Sequence, residues 1–351
     1  MIRRMISLSL ALLIALSLCA CKKEKQKFSA YYFDWFDTAT SIIGYEYTEA
    51  EFNATCDIIE GLMTEYHQLA NIYIQYDGLN NLVTVNSIAN GEHSVVALDG
   101  KLIDLLSYAR QMYDLTGGKM NIALGSVLSI WHDYRTLGLD DPKNAKLPPM
   151  DKLSAAAEHT DIDDLIIDEE NSTVYLNDPK TRLDVGAIAK GYAVEMVARH
   201  LEENGITGYL INAGGNIRTI GTRGDGTPWQ IGIENPDTSA TDKPHIEYLK
   251  LSGQSLVTSG SYQRYYTVNG INYHHIIDPD TLMPGERFLS VSVLCDHSGM
   301  GDAISTALFN MDLDEGKALV ESLENVEAMW VLPDGTQVYS SGFENFTFDY
   351  E

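Results

Sequence analysis

The sequence predicts an α+β (mixed α/β) fold, one large domain with two interleaved lobes, on three observations. Strand-like and helix-like stretches follow one another without the regular alternation of a βαβ sheet. Roughly 320 residues lie beyond an N-terminal leader, enough for one large domain. Hydrophobic residues make up 44% of the 351, and only Cys56 and Cys295 lie outside the leader and its boundary. Two cysteines are no disulfide framework, so the apolar core must hold the fold, and the sequence leaves a Cys56–Cys295 bond open.

The elements are read in order. Residues 33–46 read as extended, and residues 50–69 carry helical spacing in Phe52, Cys56, Ile59, Leu62 and Met63. Leu102, Leu105, Leu106, Ala109 and Met112 repeat that spacing over 101–115, and Gly117-Gly118 ends it. The polar, proline-bearing stretch 142–164 predicts a flexible or helical insertion. Strands are expected at 165–174 and 183–185, then a helix over 190–203. Further strands are expected at 208–220, 229–234, 246–251, 255–258, 262–269 and 289–295. Helices over 302–310 and 314–323 and strands at 328–332 and 337–340 complete the chain.

Residues 1–20 form a leader, with Arg3 and Arg4, an apolar run from Ile6 to Leu18, and small residues up to Cys21. That run is short for a bilayer span, which needs about 20 residues. The Leu18-Cys19-Ala20-Cys21 flank resembles a bacterial lipobox, which implies lipidation at Cys21, a polar tether over 21–32 and a folded domain over 33–347. The expected location is therefore extracytoplasmic, anchored to the cell membrane by lipid.

The chain carries 24 basic and 50 acidic residues, a formal charge of −26. Such a balance argues against nucleic acid as a partner. It would also repel a nucleotide pyrophosphate unless a cation intervened, so phosphate chemistry here calls for a metal.

Three segments carry candidate chemistry. Asp184-Val185-Gly186-Ala187-Ile188-Ala189-Lys190-Gly191-Tyr192 is a small-residue turn opening a helix; its bare backbone suits phosphate or a cation, although tight packing explains the small residues equally. Asp302 and Thr306 lie four apart and share a helical face as hard oxygen donors suited to Mg²⁺; alone, they read more simply as a helix cap and a packed hydroxyl. In His274-His275-Ile276-Ile277-Asp278-Pro279-Asp280-Thr281 the two histidines would point to opposite faces of a strand, so one at most enters a given site. GxGxxG, Walker, HExxH, CxxC and GxSxG patterns are absent.

Other segments extend the pattern: Phe36-Asp37-Thr38 with Ile42, Asn81-Leu82 to Asn86, and Thr116-Gly117-Gly118-Lys119-Met120-Asn121 leading to Gly125 and Trp131. Asn212-Ala213-Gly214-Gly215-Asn216-Ile217, Trp229 with Ile231-Gly232-Ile233 and Pro236, and Thr258-Ser259-Gly260-Ser261-Tyr262-Gln263-Arg264 follow. In this order, over about Phe36 to Phe346, the chain resembles the FAD:protein FMN transferase (ApbE) family. The resemblance implies an ApbE-like, T-fold-like domain. It also implies Mg²⁺-dependent cleavage of FAD, attachment of FMN to a threonine of a target flavoprotein, and release of AMP.

By the same resemblance, the Ala187 carbonyl, the Asp302 carboxylate and the Thr306 hydroxyl hold Mg²⁺. Lys190 lies near the phosphates, and His275 assists the attacking threonine. Met120, Asn121, Gly214, Gly215, Ser259, Arg264 and Thr281 contact FAD. Implied acceptors are Rnf-type or sodium-pumping Nqr-type subunits, or secreted flavoreductases. An Mg²⁺-dependent FAD pyrophosphatase and a lipid-anchored flavin carrier are the alternatives. Two departures stand out: Thr281-Leu282-Met283-Pro284 replaces Thr-Gly-x-Pro, and Tyr73 to Asn80 replaces a serine-rich stretch.

Overall fold

The computed structural model describes residues 24–88 and 95–350. The expected leader and Cys21 lie outside them. The strands are β1 (Gln26–Trp35), β2 (Thr38–Glu46), β3 (Val96–Ala97), β4 (Leu165–Asp168), β5 (Thr173–Leu176), β6 (Tyr209–Ala213), β7 (Asn216–Ile220) and β8 (Trp229–Glu234). They continue as β9 (His245–Leu251), β10 (Ser255–Gly260), β11 (Tyr265–Val268), β12 (Ile271–His274), β13 (Ser290–Cys295), β14 (Glu327–Val331) and β15 (Gln337–Tyr339). The helices are α1 (Glu49–Leu69), α2 (Leu82–Ile88), α3 (Gly100–Leu115), α4 (Gly125–Asp140), α5 (Met150–Ala157), α6 (Ala189–Glu203), α7 (Ser298–Asn310) and α8 (Leu313–Glu321).

An eight-stranded sheet in the order β1-β2-β6-β7-β10-β13-β14-β15 is the frame, and its neighbours are all antiparallel. Helices α1, α6 and α7 pack on one face. Helix α1 buries Phe52, Cys56, Ile59, Met63 and Tyr66, and the Thr48 hydroxyl caps it by accepting from Glu51 N at 3.2 Å. The β8–β9 hairpin covers the opposite face through Trp229, Ile231, Ile233, Leu249 and Leu251. Apolar alternation on β8 therefore closes a second core layer.

A separate core joins Val127 and Trp131 of α4, Leu153 of α5, Tyr266 and Val268 of β11, and Ile277 and Leu282. These residues are far apart in sequence, so the lobes interleave as expected. The Trp131 indole N–H donates to the Leu282 carbonyl at 2.9 Å and ties them together. Leu282 stands at φ +59°, a left-handed conformation that favours glycine, the residue the resemblance implies there; this chain holds a leucine by burying it.

Several expectations are corrected. Strand β1 starts at Gln26 and pairs with β2 along its length, so residues 26–32 belong to the sheet and not to the expected 21–32 tether. The expected strand at 165–174 is the β4–β5 hairpin, and 183–185 is irregular backbone. The polar stretch 142–164 does carry a helix, as expected: α5, anchored by the buried Leu153. Helix α7 starts at Ser298, before the expected 302, because the His297 Nδ1 caps it by accepting from Gly299 N and Met300 N. Cys56 and Cys295 are buried free thiols.

Candidate active site

Helices α6 and α7 cross closely at Gly191. A Cβ there would come within 2.5 Å of the Ser298 carbonyl and 2.6 Å of the Asp302 Cβ, so only glycine allows the approach. Asp302 lies inside α7 rather than capping it. Its Oδ2 accepts the Gly191 N–H at 2.8 Å, and its Oδ1 faces Lys190 Nζ at 3.1 Å.

The Gly191 N–H would ordinarily close the first turn of α6 onto the Ala187 carbonyl. It donates to Asp302 instead, and the Ala187 carbonyl receives no backbone hydrogen bond. One turn along α7, the Thr306 hydroxyl also makes no hydrogen bond within the described residues. A buried carboxylate, an uncommitted carbonyl and an uncommitted hydroxyl thus gather at one junction. That donor set fits a hard cation such as Mg²⁺, which uses few protein carboxylates. No group of three or more His, Cys, Asp or Glu side chains suited to a metal occurs among the described residues, so a zinc-type or multi-carboxylate centre does not fit.

Asp184 sets the turn itself: its Oδ1 accepts the Gly186 N–H at 2.9 Å. Behind the junction, Glu195 of α6 accepts from Arg218 at 3.1 Å and from Ser298 N at 2.9 Å, locking α6 to β7 and α7. Ser259 of β10 bonds Ser305 of α7 at 2.9 Å, Oγ to Oγ, and so joins the sheet to the junction.

A cavity of about 600 Å³ lies beside it, lined by Asp37, Thr38, Gly214, Gly215, Tyr262 and Arg264 among others. Its size suits a nucleotide. Gly214 and Gly215 take φ +55° and +87° in the β6–β7 turn, and a Cβ on Gly214 would overlap the Thr38 hydroxyl. Across the cavity, Phe36 and Asp37 form the two-residue β1–β2 turn with φ +52° and +50°. This turn type prefers Asn-Gly, and Arg264 holds the strained pair by donating to the Phe36 carbonyl at 3.1 Å and the Asp37 carbonyl at 2.6 Å.

His274 and His275 diverge as expected. His274 is buried and donates from Nε2 to the Gly285 carbonyl at 2.6 Å. His275 presents Nδ1 to the Arg264 carbonyl at 3.2 Å. A carbonyl only accepts, so Nδ1 carries the proton and Nε2 is left as an acceptor. Burial, with Arg264, His274 and Arg135 around it, holds the imidazole neutral and pushes its pKa down to about 3. In the substrate-free protein this imidazole therefore sits well below the ordinary histidine value near 6.5.

Other expected contacts fall differently. Met120 is a core residue, and the Asn121 side chain is committed to the Thr160 carbonyl at 2.9 Å and the Ala123 N–H at 2.8 Å. Thr281 is exposed on a turn and is not among the residues lining the 600 Å³ cavity.

Sequence reasoning passed over a group on α4. His132 Nδ1 pairs with the Tyr73 hydroxyl at 2.6 Å, and its Nε2 lies 3.9 Å from Asp184. His132, Arg135 and His275 line one small void of about 10 Å³. The signal available was His132 and Arg135 three apart, one helical face, immediately after Trp131.

An eight-stranded antiparallel sheet packed against helices, with a glycine-lined cavity of nucleotide size, defines a domain of mixed α/β architecture. Residues 36–330 match the ApbE family, and the chain belongs to that family. It is 30% identical over 292 residues to an FAD:protein FMN transferase of Klebsiella pneumoniae, covering 80% of this chain and 85% of that one. It is 32% identical over 254 residues to a Vibrio cholerae protein of the same description, covering 71% and 73%. Among solved structures it resembles the ApbE protein of Thermotoga maritima, with a TM-score of 0.78 and 25% identity over 92% of this chain and 100% of that one. The Vibrio cholerae flavin transferase ApbE gives 0.75 and 25% over 92% and 99%.

Proposed function

We infer that this chain is an Mg²⁺-dependent FAD:protein FMN transferase. Supporting this are its family membership and the relatives described as such enzymes. The single observation that carries the metal requirement is the Ala187 carbonyl, left free because Gly191 N–H turns to Asp302. In this reading Ala187, Asp302 and Thr306 hold the ion. An Mg²⁺ ion held by them would supply charge neutralisation for the FAD pyrophosphate and the departing AMP.

The chain's own groups do the rest. The glycine turn at 214–215 admits the nucleotide closely, and Arg264 faces its charge from the opposite wall. The acceptor threonine oxygen forms a bond to the FMN-side phosphorus as the bond to the AMP oxygen breaks. The hydroxyl proton goes to Nε2 of His275. Incoming phosphates offset the Arg264 and Arg135 charges beside that imidazole, so its basicity rises when substrate is seated. Lys190 shares Asp302 and lies ready to meet phosphate oxygens.

We assign residues 1–20 to a lipoprotein signal and Cys21 to the lipidated N-terminus, which places the enzyme outside the cytoplasm on the cell membrane. Acceptors are threonine-bearing extracytoplasmic flavoprotein subunits of the Rnf or Nqr type, or secreted flavoreductases. The test incubates the protein with FAD, Mg²⁺ and such a subunit. Intact-mass analysis should then show one FMN joined with loss of water, formed only with the metal. Free FMN and AMP with no adduct on any acceptor would instead mark a pyrophosphatase, and FAD held without turnover a carrier.

A further inference from the structure

Arginines in this acidic protein generally meet carboxylates. Arg110 faces Asp163, Arg199 faces Glu195, Arg218 faces Glu195 and Glu202, Arg223 faces Asp225, and Arg287 faces Asp278 and Asp312. Arg135 and Arg264 form no ion pair among the described residues. Arg264 at least donates to two carbonyls. Arg135 makes no hydrogen bond at all among them, although it is only partly exposed.

Both flank His275: Arg135 lines a void with it, and the Arg264 carbonyl accepts its Nδ1–H. His132, one turn before Arg135 on α4, lies 3.9 Å from Asp184, whose other oxygen holds the Gly186 turn. Arg135 thus lies near Asp184, the residue that sets the turn carrying Ala187. Asp184 and Asp37 add negative charge near Arg135, but neither makes an ion pair or hydrogen bond with it, so its donors stay open to an incoming anion. In a chain of formal charge −26, a half-buried arginine beside His275 whose donors meet no acceptor among the described residues points to a ligand.

We propose that Arg135 completes an anion subsite with Arg264 and holds the phosphate on the flavin side of the dinucleotide. This rests on FAD being the substrate. A guanidinium presents a planar fork that fits phosphate oxygens, and the location beside His275 puts that phosphate next to the incoming threonine hydroxyl. A carboxylate on the acceptor protein is the competing occupant. Phosphate is favoured because Arg264 also lines the nucleotide-sized cavity.

The test measures FMN and riboflavin binding by flavin fluorescence, in EDTA so that no metal competes for phosphate, on the wild type, R135Q and R135K. The wild type should prefer FMN. R135Q should cut that preference by about 10- to 100-fold, the scale of a charge-assisted hydrogen bond, while riboflavin affinity holds. R135K, which keeps the charge and loses the fork, should retain part of it. An unchanged preference, or equal weakening of both flavins in R135Q and R135K, overturns the proposal. So does a variant whose only change is a higher KM for the acceptor, which would assign Arg135 to the acceptor's carboxylate. An Arg135-dependent FMN preference in a protein that forms no adduct would fail the transferase reading alone.

Discussion

The α6–α7 junction and the His275 cleft lie against the same turn, residues 184–190, yet they handle charge in opposite ways. At the junction every buried charge is met: Glu195 by Arg218, Arg199 and Ser298 N, and Asp302 by Lys190 and Gly191 N. In the cleft Arg135 and Arg264 make no direct ion pair among the described residues, although Asp184 and Asp37 lie near Arg135, and burial pushes the His132 and His275 pKa values down. Closed pairs fix the geometry of helices against sheet. Open cations leave a free energy to be gained when an anion arrives. Asp302 belongs to both patterns, since it is paired now with a lysine that a nucleotide phosphate can take over.

The largest effect should come from removing that shared carboxylate. Asp302→Ala is expected to lower FMN transfer by about 10³-fold, the scale seen when a charged or dipolar group serving the transition state is lost. Asp302→Asn separates chemistry from architecture: its amide oxygen can still accept the Gly191 N–H, so folding should survive while metal-dependent transfer does not. Intact-mass rates with and without Mg²⁺ check both variants. Transfer at the wild-type rate in either one would mean that the junction is purely structural.

Next in size is a variant that breaks the closed region alone. Glu195→Ala leaves Arg218 buried without its main partner, and unfolding free energy should fall by about 3–5 kcal/mol. Burial by itself would raise the Glu195 carboxyl, but Arg218 with the Ser298 N–H and Arg199 outweighs it and holds the group below its ordinary range. A depressed folded pKa means that its stabilisation is complete above the unfolded value near 4.5 and disappears as pH falls through the folded one. Urea melts at neutral pH and near pH 4 should therefore show a wide gap between wild type and variant that narrows on acidification. A gap that does not depend on pH would show that Glu195 acts by packing.

The closed region was the more legible of the two in the sequence. Asp302 and Thr306 four apart, and a small-residue turn before a helix, fix their own geometry through helical periodicity, and the strands at Trp229–Glu234 and Ser255–Gly260 follow from alternation. What periodicity does not carry is which backbone donor is diverted. That Gly191 N–H leaves Ala187 for Asp302 is a tertiary event between two helices more than 100 residues apart. The cleft was opaque for a related reason. Its members Tyr73, His132, Asp184, Arg264 and His275 come from five separate segments, and α4 itself, with few apolar positions beyond Val127 and Trp131 buried, gave no strong helical pattern. An absent ion pair, such as that of Arg135, leaves no trace in sequence at all.

The smallest expected effect concerns His275, and it takes the form of an unmoved profile. With Nδ1–H bound to the Arg264 carbonyl and two guanidinium groups nearby, the imidazole protonates only around pH 3 in the free protein. Its charge is therefore constant across roughly pH 5–8, where an ordinary histidine would titrate. Because kcat/KM reports the free enzyme, its pH dependence toward FAD should show no inflection near 6.5 arising from this residue. The profile of His275→Asn should be lower but of the same shape. An inflection near 6.5 in the wild type that vanishes in His275→Asn would mean that the cleft's positive charges are screened or turned away in solution. The contrast between a closed junction and an open cationic cleft would then have to be abandoned, and with it the reason to expect an anion beside His275.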